Sequence, residues 1–64
     1  MLSIAVDIGG TFTDVVAADP RTGRYAARKV PTTPGRLVEA VGLGALAALE
    51  ALGRSPGEVE RFVH

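Results

Sequence analysis

Cysteine and tryptophan are absent from this sequence, and so is net charge. Without thiols, neither a disulfide framework nor a zinc-finger set is available to staple the chain. Seven basic residues cancel seven acidic ones. That balance excludes the charge excess that marks binders of nucleic acid or of anionic membranes. Aromatic residues are few, two Phe and one Tyr, and they form no base-stacking pattern among the basic residues. No apolar run approaches the roughly 18 residues of a membrane-spanning helix. No basic region precedes the N-terminal apolar run as it would in a signal peptide. These absences set the expectation of a soluble, cytoplasmic chain with neither nucleic acid nor membrane as partner. Internal repeats, linkers and low-complexity tracts are missing as well.

What is present is short and apolar. The chain has 64 residues, 47% of them hydrophobic, which is too apolar for intrinsic disorder. A chain of this length buries roughly 60% of its unfolded surface and is marginally stable alone. Leu2, Ile4, Val6 and Ile8 alternate with Ser3, Ala5 and Asp7. Period two puts the large side chains on one face of a strand and the small ones plus Asp7 on the other. The small face leaves room for a helix or, near Asp7, for a ligand; the plain alternative is a strand with one solvated face. Val15 to Ala18 reads as a second strand. Asp19-Pro20-Arg21-Thr22-Gly23 is a turn, in which Pro20 presets φ and Gly23 supplies a left-handed position. Arg24 to Val30 returns as a third strand, with charges that suit a sheet edge. Five of the seven basic residues fall between Arg21 and Arg36, either as a solvated hairpin face or as a phosphate-attracting patch.

Thr33 then reads as an N-cap with Pro34 at the first helical position. The helix is expected to run to about Leu52 and to stop at Gly53. At about 100° per residue, Leu37, Val38, Val41, Ala45, Ala48, Leu49 and Leu52 gather on one face. Leu43 and Leu46 fall near the polar side and imply a second contact surface. Gly42 and Gly44 lower helix propensity, and close packing is the plain reason for them. Ser55-Pro56-Gly57-Glu58 fits a capping box that opens a helical turn through about Arg61. Phe62 and Val63 then begin another strand. The expected fold class is α/β, an antiparallel three-stranded meander followed by a helix on one face.

The chemistry concentrates in Asp7-Ile8-Gly9-Gly10-Thr11-Phe12-Thr13-Asp14. Strand, Gly-Gly turn, strand is a hairpin signal. Adjacent glycines can take positive φ and leave backbone N–H groups uncovered. Successive N–H groups in such a turn can form a concave anion site, and Thr11 and Thr13 add hydroxyls. Asp7 could hold a hydrated Mg²⁺, which accepts few protein carboxylates. The plain alternative is an ordinary turn between strand ends that carry Asp and Thr. Neither the G-x-x-x-x-G-K-[ST] loop nor the G-x-G-x-x-G fingerprint is present. Phe12 reads as an apolar plug for the loop or, alternatively, as a platform for a nucleotide base. Asp14 is either a second metal or proton-transfer group or a loop residue that bonds nearby N–H groups. His64 is a lone histidine, to be read as a metal ligand or base only if a partner exists.

Asp7-Ile8-Gly9-Gly10-Thr11 resembles the first phosphate loop of the sugar kinase, Hsp70 and actin superfamily of ATP-binding folds. The longer string ending Thr11-Phe12-Thr13-Asp14 resembles the N-terminal segment of the hydantoinase A / 5-oxoprolinase family, which includes acetone carboxylase subunits. Phe62-Val63-His64 looks like the start of that family's next segment, where a His-Gly-Thr-Thr motif follows. Family members are much longer, so residues 1–64 are expected to be an incomplete N-terminal fragment of an ATP-binding domain. The resemblance implies the opening of a ribonuclease-H-like domain, whose fourth strand joins in parallel beside the first. It implies an ATP-dependent cyclic-amide hydrolase, in which ATP phosphorylates the substrate's carbonyl oxygen before water attacks. It further implies ATP and Mg²⁺ as cofactors. Backbone N–H groups of Gly9, Gly10 and Thr11, with the Thr11 and Thr13 hydroxyls, would bond phosphate oxygens. Asp7 would be catalytic through water on Mg²⁺, with Asp14 as a further metal residue. The implied partners are a small cyclic amide, the remainder of the chain and a second, B-type subunit. An acetone-carboxylase-type subunit fits the same string. A sugar kinase usually departs from Phe-Thr-Asp, and a non-enzymatic nucleotide-binding regulator usually carries a segment before the first strand.

Overall fold

The alternating pattern builds a sheet with one covered and one open face. A computed structural model describes all residues from Met1 to His64. Strands β1 (Ser3–Ile8), β2 (Phe12–Asp19) and β3 (Arg24–Pro31) form the antiparallel meander. A short strand β4 (Arg61–Val63) adds to it, parallel to β1, and gives the order β3-β2-β1-β4. The sheet is therefore four-stranded and mixed, one strand wider than the meander alone. β3 is an edge strand, as its charges suggest.

Helix α1 (Leu37–Ala51) covers one face. Leu2, Ile4, Val6, Val15, Ala17, Ala48, Leu49 and Leu52 form the core between helix and sheet. Gly44 allows the close approach: a Cβ there would lie 3.1 Å from γ-carbons of both Val15 and Val30. Gly42 has no neighbour that a Cβ would meet, so packing does not explain it. The helix starts three residues later than Thr33 and Pro34 imply, with Arg36 as its N-cap. Gly35 has φ of 80°, a left-handed position that a helix cannot include. Arg36 N–H closes a turn on Thr33 O instead. Val38, assigned to the apolar face, is 87% exposed. The C-terminus ends as expected. Gly53 has φ of 69°, its N–H bonds Glu50 O, and Arg54 N–H bonds Leu49 O, which is the Schellman arrangement.

The Ser55 cap opens only a 3₁₀ turn, Pro56–Glu58, and not a helix to Arg61. The chain is pulled straight by β4, beginning with Glu60 N–H donating to Leu2 O. Glu58 accepts the Ser55 N–H at 2.7 Å, and Arg54 Nε donates to Glu58 at 2.9 Å. Arg54 Nη1 also donates to Asp19 Oδ2 at 2.7 Å. Asp19, 2% exposed, further accepts the Arg21 N–H. Arg54 thus ties the β2–β3 turn to the end of α1. The Arg54 bond holds the Asp19 carboxyl below its usual range, and the Ser55 N–H followed by Arg54 does the same for Glu58. No helix is long and apolar enough to cross a membrane.

Two expectations follow. Ile8, Phe12, Tyr25, Val38, Leu43, Leu46 and Phe62 are all exposed, more apolar surface than a small monomer usually leaves bare. Residues 1–64 expressed alone self-associate in light scattering; a sharply melting monomer at high concentration would contradict this. In the intact protein, Asp19→Asn speeds hydrogen exchange of the β2–β3 turn at neutral pH. A carboxyl with a lowered folded pKa stabilises above its unfolded value and loses that contribution as pH falls through the folded one. The gap between variant and wild type therefore persists down to pH 3.8 and closes below it. A gap that closes above that value would show that the ion pair is not its source.

Candidate functional site

Residues Gly9–Thr11 join β1 to β2 at the end of the sheet. Neither Gly9 nor Gly10 has positive φ, so the turn does not use the left-handed region that a Gly-Gly pair permits. The two glycines differ in their surroundings. A Cβ on Gly9 would lie 2.8 Å from Phe12 O, because Gly9 N–H donates to that same carbonyl at 3.0 Å. Gly10 faces open space, with nothing within 4 Å of a Cβ. The N–H groups of Gly10 and Thr11 bond no protein acceptor, and both residues are exposed. The loop therefore presents two adjacent donors, and Gly9 N–H is not a third.

The register places Asp7 directly opposite Asp14, on the face of the sheet that α1 does not cover. Asp14 in turn lies opposite Lys29, with Lys29 Nζ 3.8 Å from its carboxylate. Both side chains are half or more exposed, so the pair contributes little to stability, about 0–1 kcal/mol. Lys29 Nζ also stands 5.6 Å from the centroid of Phe12. Phe12 begins β2 rather than lying in the loop. It is 47% exposed on the open face, so it is not an apolar plug for the core.

Thr13 sits elsewhere. Alternation along β2 turns it to the helix side, where it is 0% exposed. Its hydroxyl pairs with Thr32 Oγ1 at 2.8 Å. That burial corrects the expectation that its hydroxyl reaches a phosphate directly. Thr32 is the residue that sequence reasoning missed. Its hydroxyl donates to Gly9 O at 2.8 Å and its N–H donates to Thr11 O at 2.9 Å. The only signal was the β2–β3 register, which sets Pro31 opposite Phe12 and so brings Thr32 under the loop.

Asp7 and Asp14 suit a hydrated Mg²⁺, which takes one or two carboxylates and fills its shell with water and phosphate oxygens. No cluster of three or more His, Cys, Asp or Glu side chains is present that would cage a metal without them. His64 has no such cluster around it. It lies at the end of an apolar groove of about 260 Å³ on the helix side, lined by Val6, Ile8, Leu37, Val41 and Phe62 among others.

Residues 3–64 match the family model described as the hydantoinase/oxoprolinase N-terminal region. A caprolactamase subunit alpha of Pseudomonas jessenii is 39% identical over 56 residues, covering 88% of this chain and 8% of the relative. An uncharacterized protein of Methanocaldococcus jannaschii is 34% identical over 61 residues, covering 95% of this chain and 8% of the relative. This chain thus spans 8% of the length of the curated relatives it matches. No solved structure matches it. With the family model covering nearly every residue, the chain belongs to the hydantoinase/oxoprolinase family and corresponds to its N-terminal region.

Proposed function

We propose that this chain is the phosphate-binding N-terminal segment of an ATP-dependent cyclic-amide hydrolase. The observation that carries the reading is Gly10. Glycine is usually required by positive φ or by crowding, and Gly10 has neither. What it offers is bare backbone with a free N–H, next to a second free N–H on Thr11. That is the requirement of a site where an anion approaches the main chain. The relative named caprolactamase supports an amide substrate, since a lactam is a cyclic amide. That relative is a subunit alpha, which supports a second subunit as partner.

Gly10 and Thr11 N–H and the exposed Thr11 hydroxyl bond the β- and γ-phosphate oxygens. Gly9 keeps the turn tight enough for its N–H to reach Phe12 O. Asp7 orients water on Mg²⁺, and Asp14 opposite it adds charge to the same face. ATP supplies the phosphoryl group that makes the amide carbonyl a good electrophile for water. Positioning and charge neutralisation account for most catalysis in such transfers. The strand order supports the further reading that residues 1–64 open a ribonuclease-H-like domain. The remainder of a longer, cytoplasmic chain then supplies adenine and substrate contacts.

The test uses the full-length protein. ATP-dependent ring opening of hydantoin, 5-oxoproline or caprolactam is the expected activity. Gly10→Ala melts as wild type does, because the site is open and its φ is not left-handed. It binds ATP more weakly, with a smaller loss for ADP and none for adenosine. Equal small losses for all three ligands would return Gly10 to a plain turn.

Asp7→Asn keeps size and hydrogen bonding but removes the charge. Turnover falls by ~10²–10³ or more, the scale of losing one preorganised electrostatic element, while nucleotide affinity changes less. Near-normal turnover with the fold intact would make Asp7 a strand-end residue only.

A further inference from the structure

We infer that Thr32, outside the Gly-Gly stretch and at the end of another strand, is the residue that aims the loop's free N–H groups at an anion. The inference rests on the reading of this loop as a phosphate site. Its basis is the direction of each peptide. A trans peptide holds C=O and N–H on opposite sides, and this chain has no cis bond. Thr32 Oγ1 takes the Gly9 carbonyl at 2.8 Å, so the N–H of the same peptide, that of Gly10, faces away from Thr32. Thr32 N–H takes the Thr11 carbonyl at 2.9 Å and fixes the Thr11–Phe12 peptide likewise. Gly9 N–H on Phe12 O fixes the Ile8–Gly9 peptide. The Gly10–Thr11 peptide is left between clamped neighbours, with its Thr11 N–H unpaired.

The hydroxyl bonds have a definite direction. A hydroxyl carries one proton, and Thr32 gives its proton to Gly9 O. Thr13 must therefore donate to Thr32 Oγ1. Thr13 to Thr32 to Gly9 carbonyl is a directed chain, and each bond polarises the next. It starts from a fully buried side chain and ends on the loop. β3 is separated from β1 by β2 in the sheet, yet Thr32 reaches the turn that follows β1. Ladder pairing alone does not make that connection.

The experiment compares full-length variants. Thr32→Val leaves the buried Thr13 hydroxyl without an acceptor, so it loses stability for a reason unrelated to the loop. The informative variant is Thr13→Val with Thr32→Val, where two methyl groups replace two hydroxyls of similar shape. It melts near wild type, binds ATP about tenfold more weakly and binds adenosine unchanged. Thr32→Ser keeps the hydroxyl and stays within about twofold of wild type. Hydrogen exchange without nucleotide is the second readout. In the double variant, the segment from Ile8 to Phe12 exchanges faster while α1 does not. Wild-type ATP affinity in the double variant, or unchanged loop exchange, overturns the inference. So does a parallel loss of ATP and adenosine affinity with a low melting temperature, which makes Thr32 merely structural. A wild-type protein that holds ATP no better than adenosine overturns the phosphate reading instead, and exchange then still decides whether Thr32 clamps the loop.

Discussion

The register of β1 against β2 is the constraint on which the rest depends. With Val6 opposite Val15, Asp7 opposite Asp14 and Ile8 opposite Thr13, each strand divides its residues between the same two faces. A slip by one residue would exchange the faces of every side chain in the strand. Val15 and Ala17 would leave the helix, and Asp14 would enter the core without a partner. The correct register is held from the inside by apolar burial. At the turn it is held by Gly9 N–H on Phe12 O. The contact that makes Gly9 intolerant of a Cβ is thus the one that closes the hairpin in register. Core and candidate site are two consequences of one alignment.

Local patterns in the sequence anticipated the elements but not the connections between them. Period-two alternation located β1, and the Pro20 and Gly23 signals located the β2–β3 turn. Gly53 marked the end of α1, since a left-handed residue there is a local event. The start of α1 was misread because Thr33 and Pro34 are also good cap residues, and nothing before Gly35 revealed its φ. Phe12 was given a core role from its size, but parity along β2 decides its face, and parity puts it beside Lys29 in the open. Thr13 was given a ligand role from its hydroxyl, and the same parity buries it. Thr32 carries no local signal, because its three bonds run to Gly9, Thr11 and Thr13. Those partners lie some twenty residues earlier and become visible only once β2 and β3 are aligned.

The core is small for the surface it must stabilise. Eight buried hydrophobic residues form it, while Leu43, Leu46 and Phe62 stay exposed. The open face of the sheet carries Ala5, Asp7, Tyr25 and Lys29, all exposed. Part of the rigidity therefore comes from polar links, which fall at opposite ends of the sheet. Arg54 with Asp19 and Glu58 secures the end where β2 turns into β3. The threonine chain secures the end that carries the loop.

The two links differ in kind, and the difference suits their positions. Charged groups at the Arg54 end neutralise each other, since Arg54 pairs with both Asp19 and Glu58. Charged clamps beneath the loop would compete with the anion that the loop is proposed to bind, or repel it. Neutral hydroxyl and amide donors fix peptide directions without adding net charge. They consume carbonyl oxygens, the groups that would repel a phosphate, and leave N–H groups outward. Donors held in place beforehand need no reorganisation when charge arrives, which is where electrostatic catalysis gains most. A loop whose carbonyls at Gly9 and Thr11 are bonded to one threonine from a neighbouring hairpin meets that condition with uncharged groups alone.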